Sequence, residues 1–146
     1  MYSHILAATD GSPFALEAAR HALALAKSLD GRLTAVIVTP TWRAIALSEI
    51  AVGNLEEQFD QHMQAHADAC LAPIREHAER LGVPCETVRL TGDQPYVSIL
   101  RSAQERGCHL IVAGSHGRRG AERLLLGSET SKLLAHSMLP VLVYRR

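Results

Sequence analysis

The chain alternates short apolar runs with longer segments of helical periodicity, and this alternation restricts the fold more than any other feature. Five runs are rich in aliphatic and β-branched residues and too short for helices, which indicates strands buried on both faces. The runs are His4–Thr9, Leu33–Val38, Cys85–Leu90, His109–Ala113 and Pro140–Arg145. Strands that alternate with helices predict right-handed βαβ units, and therefore an α/β three-layer sandwich around a five-stranded parallel sheet.

The segments between the strands carry helical spacing and helix-boundary signals. Ser12 suits an N-cap and Pro13 the first helical position. Pro73 lies inside the longest helical segment and is expected to kink it. Residues 39–54 have no clean period and are interpreted as a loop, with a short helical piece around Ile45–Ile50. The expected helices are Phe14–Leu29, Leu55–Leu81, a segment from Pro95 to near Gly107, and Ser128–His136.

Composition limits the function classes. The 146 residues form one domain, and Lys plus Arg equal Asp plus Glu at 15 each, so no net charge favours nucleic acid or an anionic membrane. No apolar run approaches the ~20 residues of a membrane span, and no signal peptide precedes the first strand. Three cysteines without Cys-x-x-Cys spacing are expected to be reduced, packed thiols. These observations predict a cytoplasmic globular domain.

The fourth strand ends in a glycine-rich loop, and a Gly-Ser pair follows at the start of the last helix. Gly114 and Gly117 lie three positions apart, and nine residues separate Gly117 from the pair Gly127-Ser128. Glycines that face a helix N-terminus let backbone N–H groups gather around an anion, which predicts a phosphate site. The alternative is that the glycines only permit tight turns. The sequence Gly-Lys-Ser/Thr of a P-loop is absent, and the glycine spacing is wrong for a dinucleotide fingerprint.

The motif Gly114-x-x-Gly117-x9-Gly127-Ser128 resembles the nucleotide-binding signature of the universal stress proteins. The resemblance extends over the whole chain, including Ile5–Ser12 and Leu139–Tyr144. It implies a Rossmann-like fold of the adenine nucleotide alpha hydrolase type, with strand order 3-2-1-4-5. It also implies an ATP-binding stress-response or signalling module, with ATP bound alone or with Mg²⁺. A further implication is a homodimer formed through the edge strand Leu139–Tyr144.

The resemblance implies a set of contacts along the nucleotide. The adenosine end would meet Ala8, Thr9, Asp10 and the backbone of Val38; the ribose would lie near Ala113 and Gly114; the phosphates would lie near Gly117, Gly127, Ser128 and Glu129. His116 and Arg118 lie inside the motif and are further candidates, because imidazole and guanidinium groups both contact phosphate. The strand order would bring the ends of the first and fourth strands together, which is where ligands bind in open α/β sheets.

Two acidic residues have competing interpretations. Asp10 either bonds local amides in its turn or meets a ribose or a phosphate-bound Mg²⁺. Glu129 stabilises its own helix start, but its carboxylate would repel phosphate if it pointed inward; it could also point outward or reach a divalent metal. The residue therefore supports the alternative function, a nucleotide-free protein-interaction module of the same fold.

Enzymatic alternatives have weaker sequence support. A slow ATPase needs a water-activating base, and the sequence shows no orienting partner for His116. An adenylyl transferase would carry a His-x-x-His element near the first strand, where only His4 occurs. His62, His66 and Cys70 have i, i+4, i+8 spacing on one helix, but a packed thiol beside half-exposed imidazoles is favoured over a metal site.

Overall fold

The computed structural model describes residues 1–43, 55–116 and 126–145. Within these residues every predicted strand and helix is present, and each boundary lies within two residues of its expected position. The elements are β1 (His4–Thr9), α1 (Pro13–Ser28), β2 (Arg32–Thr39), α2 (Leu55–Leu81), β3 (Cys85–Thr91), α3 (Pro95–Glu105), β4 (Leu110–Gly114), α4 (Ser128–His136) and β5 (Val141–Tyr144). The predicted helical piece at Ile45–Ile50 lies outside the described residues. Helix α2 continues through Pro73.

The five strands form one parallel sheet in the order β3-β2-β1-β4-β5. Strand β1 pairs with β2 on one side and with β4 on the other, with Ala7 opposite both Ala35 and Val112. The strand order therefore reverses between β1 and β4, and their carboxyl ends open into a shared crevice. This confirms the predicted fold class and strand order.

Alternation along β1 distributes its side chains between the two faces of the sheet. Ile5 and Ala7 join the cluster beneath α1 and α2, whereas Leu6 joins the cluster beneath α3 and α4. Helix α1 presents a stripe of buried small residues (Ala15, Ala18, Ala19, Ala22 and Ala26) together with Leu23. Small side chains let a helix approach the sheet closely, so the pattern that predicted an amphipathic helix also explains its tight packing.

The cysteine side chains contribute to the packing of this core. The three cysteines are free, and Cys108 is buried under α3. Burial raises the pKa of both Cys85 and Cys108 above the ordinary thiol value, which keeps these thiols protonated and unreactive. Both are therefore packed as small apolar side chains, which agrees with the interpretation from sequence.

His4 is a buried titratable group at the opposite end of the sheet from the crevice. The residue is 5% exposed, its Nε2 lies 2.7 Å from Thr34 Oγ1, and within the described residues no group meets full hydrogen-bond geometry with its Nδ1. Burial lowers the pKa of His4 below the ordinary 6.5, and the charges of Arg32 and His109 lower it further. The backbone of Arg106 and the charge of Glu86 act in the opposite direction with smaller effect. The folded protein therefore holds this imidazole neutral.

The depressed pKa of His4 predicts a loss of stability in mild acid. Below pH 6.5 the unfolded chain binds a proton that the folded chain resists, so the free energy of unfolding falls as the pH drops. His4→Gln keeps an amide nitrogen for Thr34 and removes the titration. Thermal melts at about pH 7.5 and about pH 5.5 should show a smaller downward shift in Tm for this variant than for the wild type. The exposed His62→Gln is the control; an unchanged shift in His4→Gln would contradict the assignment.

Candidate functional site

A cavity of about 480 Å³ opens at the carboxyl edge of the sheet, at the crevice between β1 and β4. Ten of the twelve residues that the sequence assigned to a site line this one cavity. They are Ala8, Thr9, Asp10, Val38, Ala113, Gly114, His116, Gly127, Ser128 and Glu129. The other two, Gly117 and Arg118, lie outside the described residues. The volume is that of a small-molecule site rather than of a packing defect.

The floor of the cavity is apolar and comes from both the sheet and the helices. Val36 and Val38 of β2 and Ala8 of β1 meet Ile99 of α3 and Leu133 of α4. These side chains belong to, or pack against, the buried cluster on the α3/α4 face of the sheet. A flat apolar group placed here would be removed from water, which is favourable by about 25 cal/mol per Å² of apolar surface buried.

The turn after β1 forms one polar wall. Thr9 Oγ1 accepts the Gly11 amide at 3.1 Å, and Asp10 Oδ1 accepts the Ser12 amide at 2.9 Å. The Ser12 hydroxyl then caps α1 at the Ala15 amide, at 3.1 Å, as predicted. Asp10 thus makes the local turn bond that one interpretation predicts, and the residue also lines the cavity, as the other interpretation requires. The turn bond fixes the direction of the carboxylate, so the two roles are compatible.

The opposite wall is the junction of β4 with the first turn of α4. The Thr130 hydroxyl donates to the Gly114 carbonyl at 2.7 Å, and the Gly127 amide donates to the Ser115 carbonyl at 2.6 Å. The Ser115 amide in turn donates to the Tyr144 carbonyl at 2.9 Å. These bonds hold the N-terminus of α4 against the end of β4, so the helix start faces the cavity.

The glycines at this wall serve close approach rather than unusual backbone angles. A Cβ on Gly114 would lie 3.1 Å from Cε1 of Phe14, so the strand could not pass this ring with a larger residue unless the ring shifted. Gly127 has φ −60° and ψ 153°, which any residue adopts, and it occupies the N-cap of α4. Because Gly127 has no side chain, its position adds no capping group in front of the first amides of α4. The first amides of α4 have no acceptor within the helix and carry partial positive charge, which suits an anion.

Glu129 is turned toward helix α3. Its Oε2 accepts the Tyr96 amide at 3.1 Å, and its Oε1 lies 3.3 Å from Nζ of Lys132. The residue still lines the cavity, and its side chain is 39% exposed. The carboxylate is thus held by a backbone amide of a neighbouring helix, an arrangement that the alternatives raised by the sequence did not include.

His116 follows the last β4 residue by two positions and lines the cavity beside Gly114. Its Nδ1 lies 2.9 Å from the Ser115 hydroxyl, and its ring packs on Phe14 at a centroid distance of 6.2 Å. The ring is therefore oriented by neighbours on two elements. This arrangement suits a polar contact with a bound anion.

A second depression, on the α2 side, contains His62, Met63 and His66 and shares Asp10 and Val38 with the main cavity. Cys70 Sγ lies 3.6 Å from Nε2 of His66. Within residues 1–43, 55–116 and 126–145, no group of three or more His, Cys, Asp or Glu side chains is arranged to hold a metal ion.

Sequence reasoning missed the residues that α3 brings to the cavity. Pro95 and Ile99 line it from α3, and Thr130 and Leu133 join them from deeper in α4. The α3 helix was predicted, but its position over β2 follows from tertiary packing. The strand order could have indicated these residues. Helix α3 connects two parallel strands, β3 and β4, so it must begin at the carboxyl edge of the sheet, where the glycine loop also lies.

The topology and this cavity define a Rossmann-like α/β protein with an apolar-floored, polar-walled site at its switch point. The sequence model of the Universal stress protein family matches residues 1–145. Universal stress protein MJ0531 of Methanocaldococcus jannaschii is 33% identical over 146 residues, which cover 100% of this chain and 84% of that protein. Universal stress protein YxiE of Bacillus subtilis is 31% identical, with 99% and 100% covered. The chain belongs to the universal stress protein family.

Solved structures agree with this assignment. Protein MJ0577 of M. jannaschii superposes with a TM-score of 0.84 at 28% identity, covering 100% of this chain and 97% of that one. A universal stress protein in complex with cAMP has a TM-score of 0.72 at 22% identity, with 99% and 97% covered. A universal stress family protein of Arabidopsis thaliana with AMP bound has a TM-score of 0.70 at 18% identity, with 99% and 92% covered. The last two likenesses show a common fold. No helix in the described parts of the chain is both long and apolar enough to cross a membrane.

Proposed function

We propose that this protein binds adenine nucleotides, ATP included, in the cavity between β1 and β4, and acts as a nucleotide-dependent stress-response or signalling module. One observation carries the proposal: a single cavity joins an apolar floor to a helix N-terminus whose N-cap residue makes no side-chain capping bond. A nucleotide has the same two-part character, with a flat base at one end and an anion at the other. The AMP and cAMP complexes of proteins with this fold support an adenine nucleotide as the ligand.

The two ends of the site take different roles in this proposal. The base lies on Val36, Val38 and Ile99, and the backbone at the end of β2 forms hydrogen bonds with the edge of the adenine. Asp10 faces the ribose or a Mg²⁺ ion that accompanies the phosphates, because carboxylate oxygens suit both. The phosphates meet the α4 amides and the Ser128 hydroxyl. Gly117 and Arg118 are assigned to the phosphate end from the sequence motif alone.

The site is expected to bind a whole nucleotide much better than either of its halves. Calorimetric titrations of the purified protein with ATP, ADP and AMP, with and without Mg²⁺, should be compared with adenosine and with tripolyphosphate. Each half should bind at least ~10-fold more weakly than ATP, because the covalent link makes the second contact intramolecular. Equally weak heats for every ligand would instead favour the nucleotide-free interaction module.

The proposal includes a cytoplasmic homodimer formed through β5. This strand lies at the edge of the sheet beside β4, and all four of its residues are half-buried. An edge strand presents backbone N–H and C=O groups that readily pair with another chain. The β5 carbonyl at Tyr144 also accepts the Ser115 amide, so the edge strand is tied to the wall of the cavity.

A further inference from the structure

The carboxylate of Glu129 occupies a position that a bound anion could otherwise take. Helix α3 begins at the rim of the cavity, and its first residue, Pro95, has no N–H group. Its N-cap, Gln94, makes no side-chain capping bond. The Tyr96 amide is therefore the donor that α3 offers at the rim, and Oε2 of Glu129 accepts it at 3.1 Å. The protein's own carboxylate satisfies this helix start.

Several contacts fix the carboxylate in this place. Lys132 lies one turn along α4, with its Nζ 3.3 Å from Oε1 of Glu129 and 5.7 Å from the centroid of the Tyr96 ring. The ring stacks on His136, one further turn along, at a centroid distance of 5.2 Å. Residues 129, 132 and 136 of α4 thus surround Tyr96 of α3. A carboxylate with a backbone donor on one oxygen and an ammonium group on the other has little freedom to swing away.

A fixed negative charge in the first turn of α4 acts on whatever the amides of that turn bind. Glu129 immediately follows Ser128, and both residues line the cavity. Like charges repel, and the repulsion grows with each phosphate added to the ligand; it is weakened by Mg²⁺ and by salt. Lys132 offsets part of the charge, but its side chain is half exposed and therefore well hydrated.

We infer that Glu129 is a specificity-determining residue that ranks nucleotides by phosphate charge, disfavouring metal-free ATP relative to AMP. The inference rests on the proposed nucleotide site. It concerns the relative affinities of the site for different nucleotides, not the question of whether a nucleotide binds. AMP carries two fewer negative charges than metal-free ATP, and the Mg²⁺ complex of ATP carries two fewer as well. The site therefore favours AMP and Mg²⁺-bound ATP.

Glu129→Gln is the direct test, because its amide oxygen still accepts the Tyr96 N–H while the charge is lost. Titration with AMP and with metal-free ATP should show that the ratio of ATP affinity to AMP affinity is about tenfold higher than in the wild type. This is the size of effect expected when a carboxylate no longer repels the two extra negative charges of ATP from several ångströms away. The gain in ATP affinity on adding Mg²⁺ should shrink. Lys132→Met, which removes the counter-charge, should move the ratio in the opposite direction. Both shifts should diminish in high salt.

Glu105→Gln is the matched control, since it makes the same change in net charge at the far, exposed end of α3. It should leave the ratio unchanged. A ratio that is unaltered in Glu129→Gln while both nucleotides still bind would overturn the inference and leave the nucleotide site intact. Weaker Mg²⁺-ATP binding in Glu129→Gln would also overturn it, by making the carboxylate a metal ligand. Absence of any nucleotide binding to the wild type would instead refute the proposed function.

Discussion

Ser128→Leu is expected to reduce ATP affinity at least about a hundredfold while leaving the fold intact. Ser128 is the first residue of α4, is exposed and lines the cavity. Leucine removes the hydroxyl and places four carbons in front of the first helical amides. Losing two charge-assisted hydrogen bonds at ~1.5 kcal/mol each corresponds to about two orders of magnitude in Kd. Calorimetric titration with ATP measures the loss.

Ser131→Leu is the matched control for this prediction. It makes the same substitution three residues further along α4, at an exposed position that does not line the cavity. Both variants should melt cooperatively and within a few degrees of the wild type, because neither side chain is buried. Equal ATP affinities in the two variants would mean that the α4 N-terminus does not hold the phosphates, and the proposed function would have to be abandoned or moved to another surface.

Leu6→Ala is expected to produce the largest loss of stability. Leu6 is 0% exposed in β1, the central strand of the sheet, and packs in the cluster beneath α3 and α4. Removing three buried carbons there costs about 2–5 kcal/mol, from lost burial and from the cavity left behind. This is a large part of the 5–15 kcal/mol typical of a domain. Urea unfolding followed by circular dichroism should show a lower midpoint with an unchanged slope.

The same substitution at Leu134 is the control for Leu6. Leu134 lies on α4 and is 43% exposed, so Leu134→Ala should change the free energy of unfolding by no more than about 0.5 kcal/mol. A similar loss in both variants would mean that the cluster on the α3/α4 face does not dominate stability. The outcome bears on the site as well, because Ile99 and Leu133 of that cluster also form the cavity floor.

The fold was predictable because its signals are local. The short apolar runs, the helical spacing between them and the cap at Ser12 each depend on a few neighbouring residues. Handedness and the placement of ligands in parallel sheets are general rules, and the strand order that the family resemblance implied then placed the crevice between β1 and β4. The ten described site candidates, most of which the resemblance supplied, converge on this one cavity.

The direction of individual side chains was not predictable from local patterns. Asp10 was ambiguous in sequence, and the structure shows that its turn bond and its place on the cavity wall coexist. Glu129 was equally ambiguous, because three directions were open to its carboxylate. Its partner, the Tyr96 amide, lies 33 positions earlier in the chain. No local signal connects the two residues.

Two kinds of information are thus separable in this protein. Strands, helices and the glycine motif follow from short-range preferences in the sequence. Together with the strand order that the family resemblance implied, they place a site at the switch point of the sheet. The apolar floor from α3, the capping of α3 by Glu129 and the neutral state of buried His4 arise only when distant segments pack, because each depends on burial or on a partner supplied by another element. Long-range packing therefore sets the electrostatics of the site that local sequence locates.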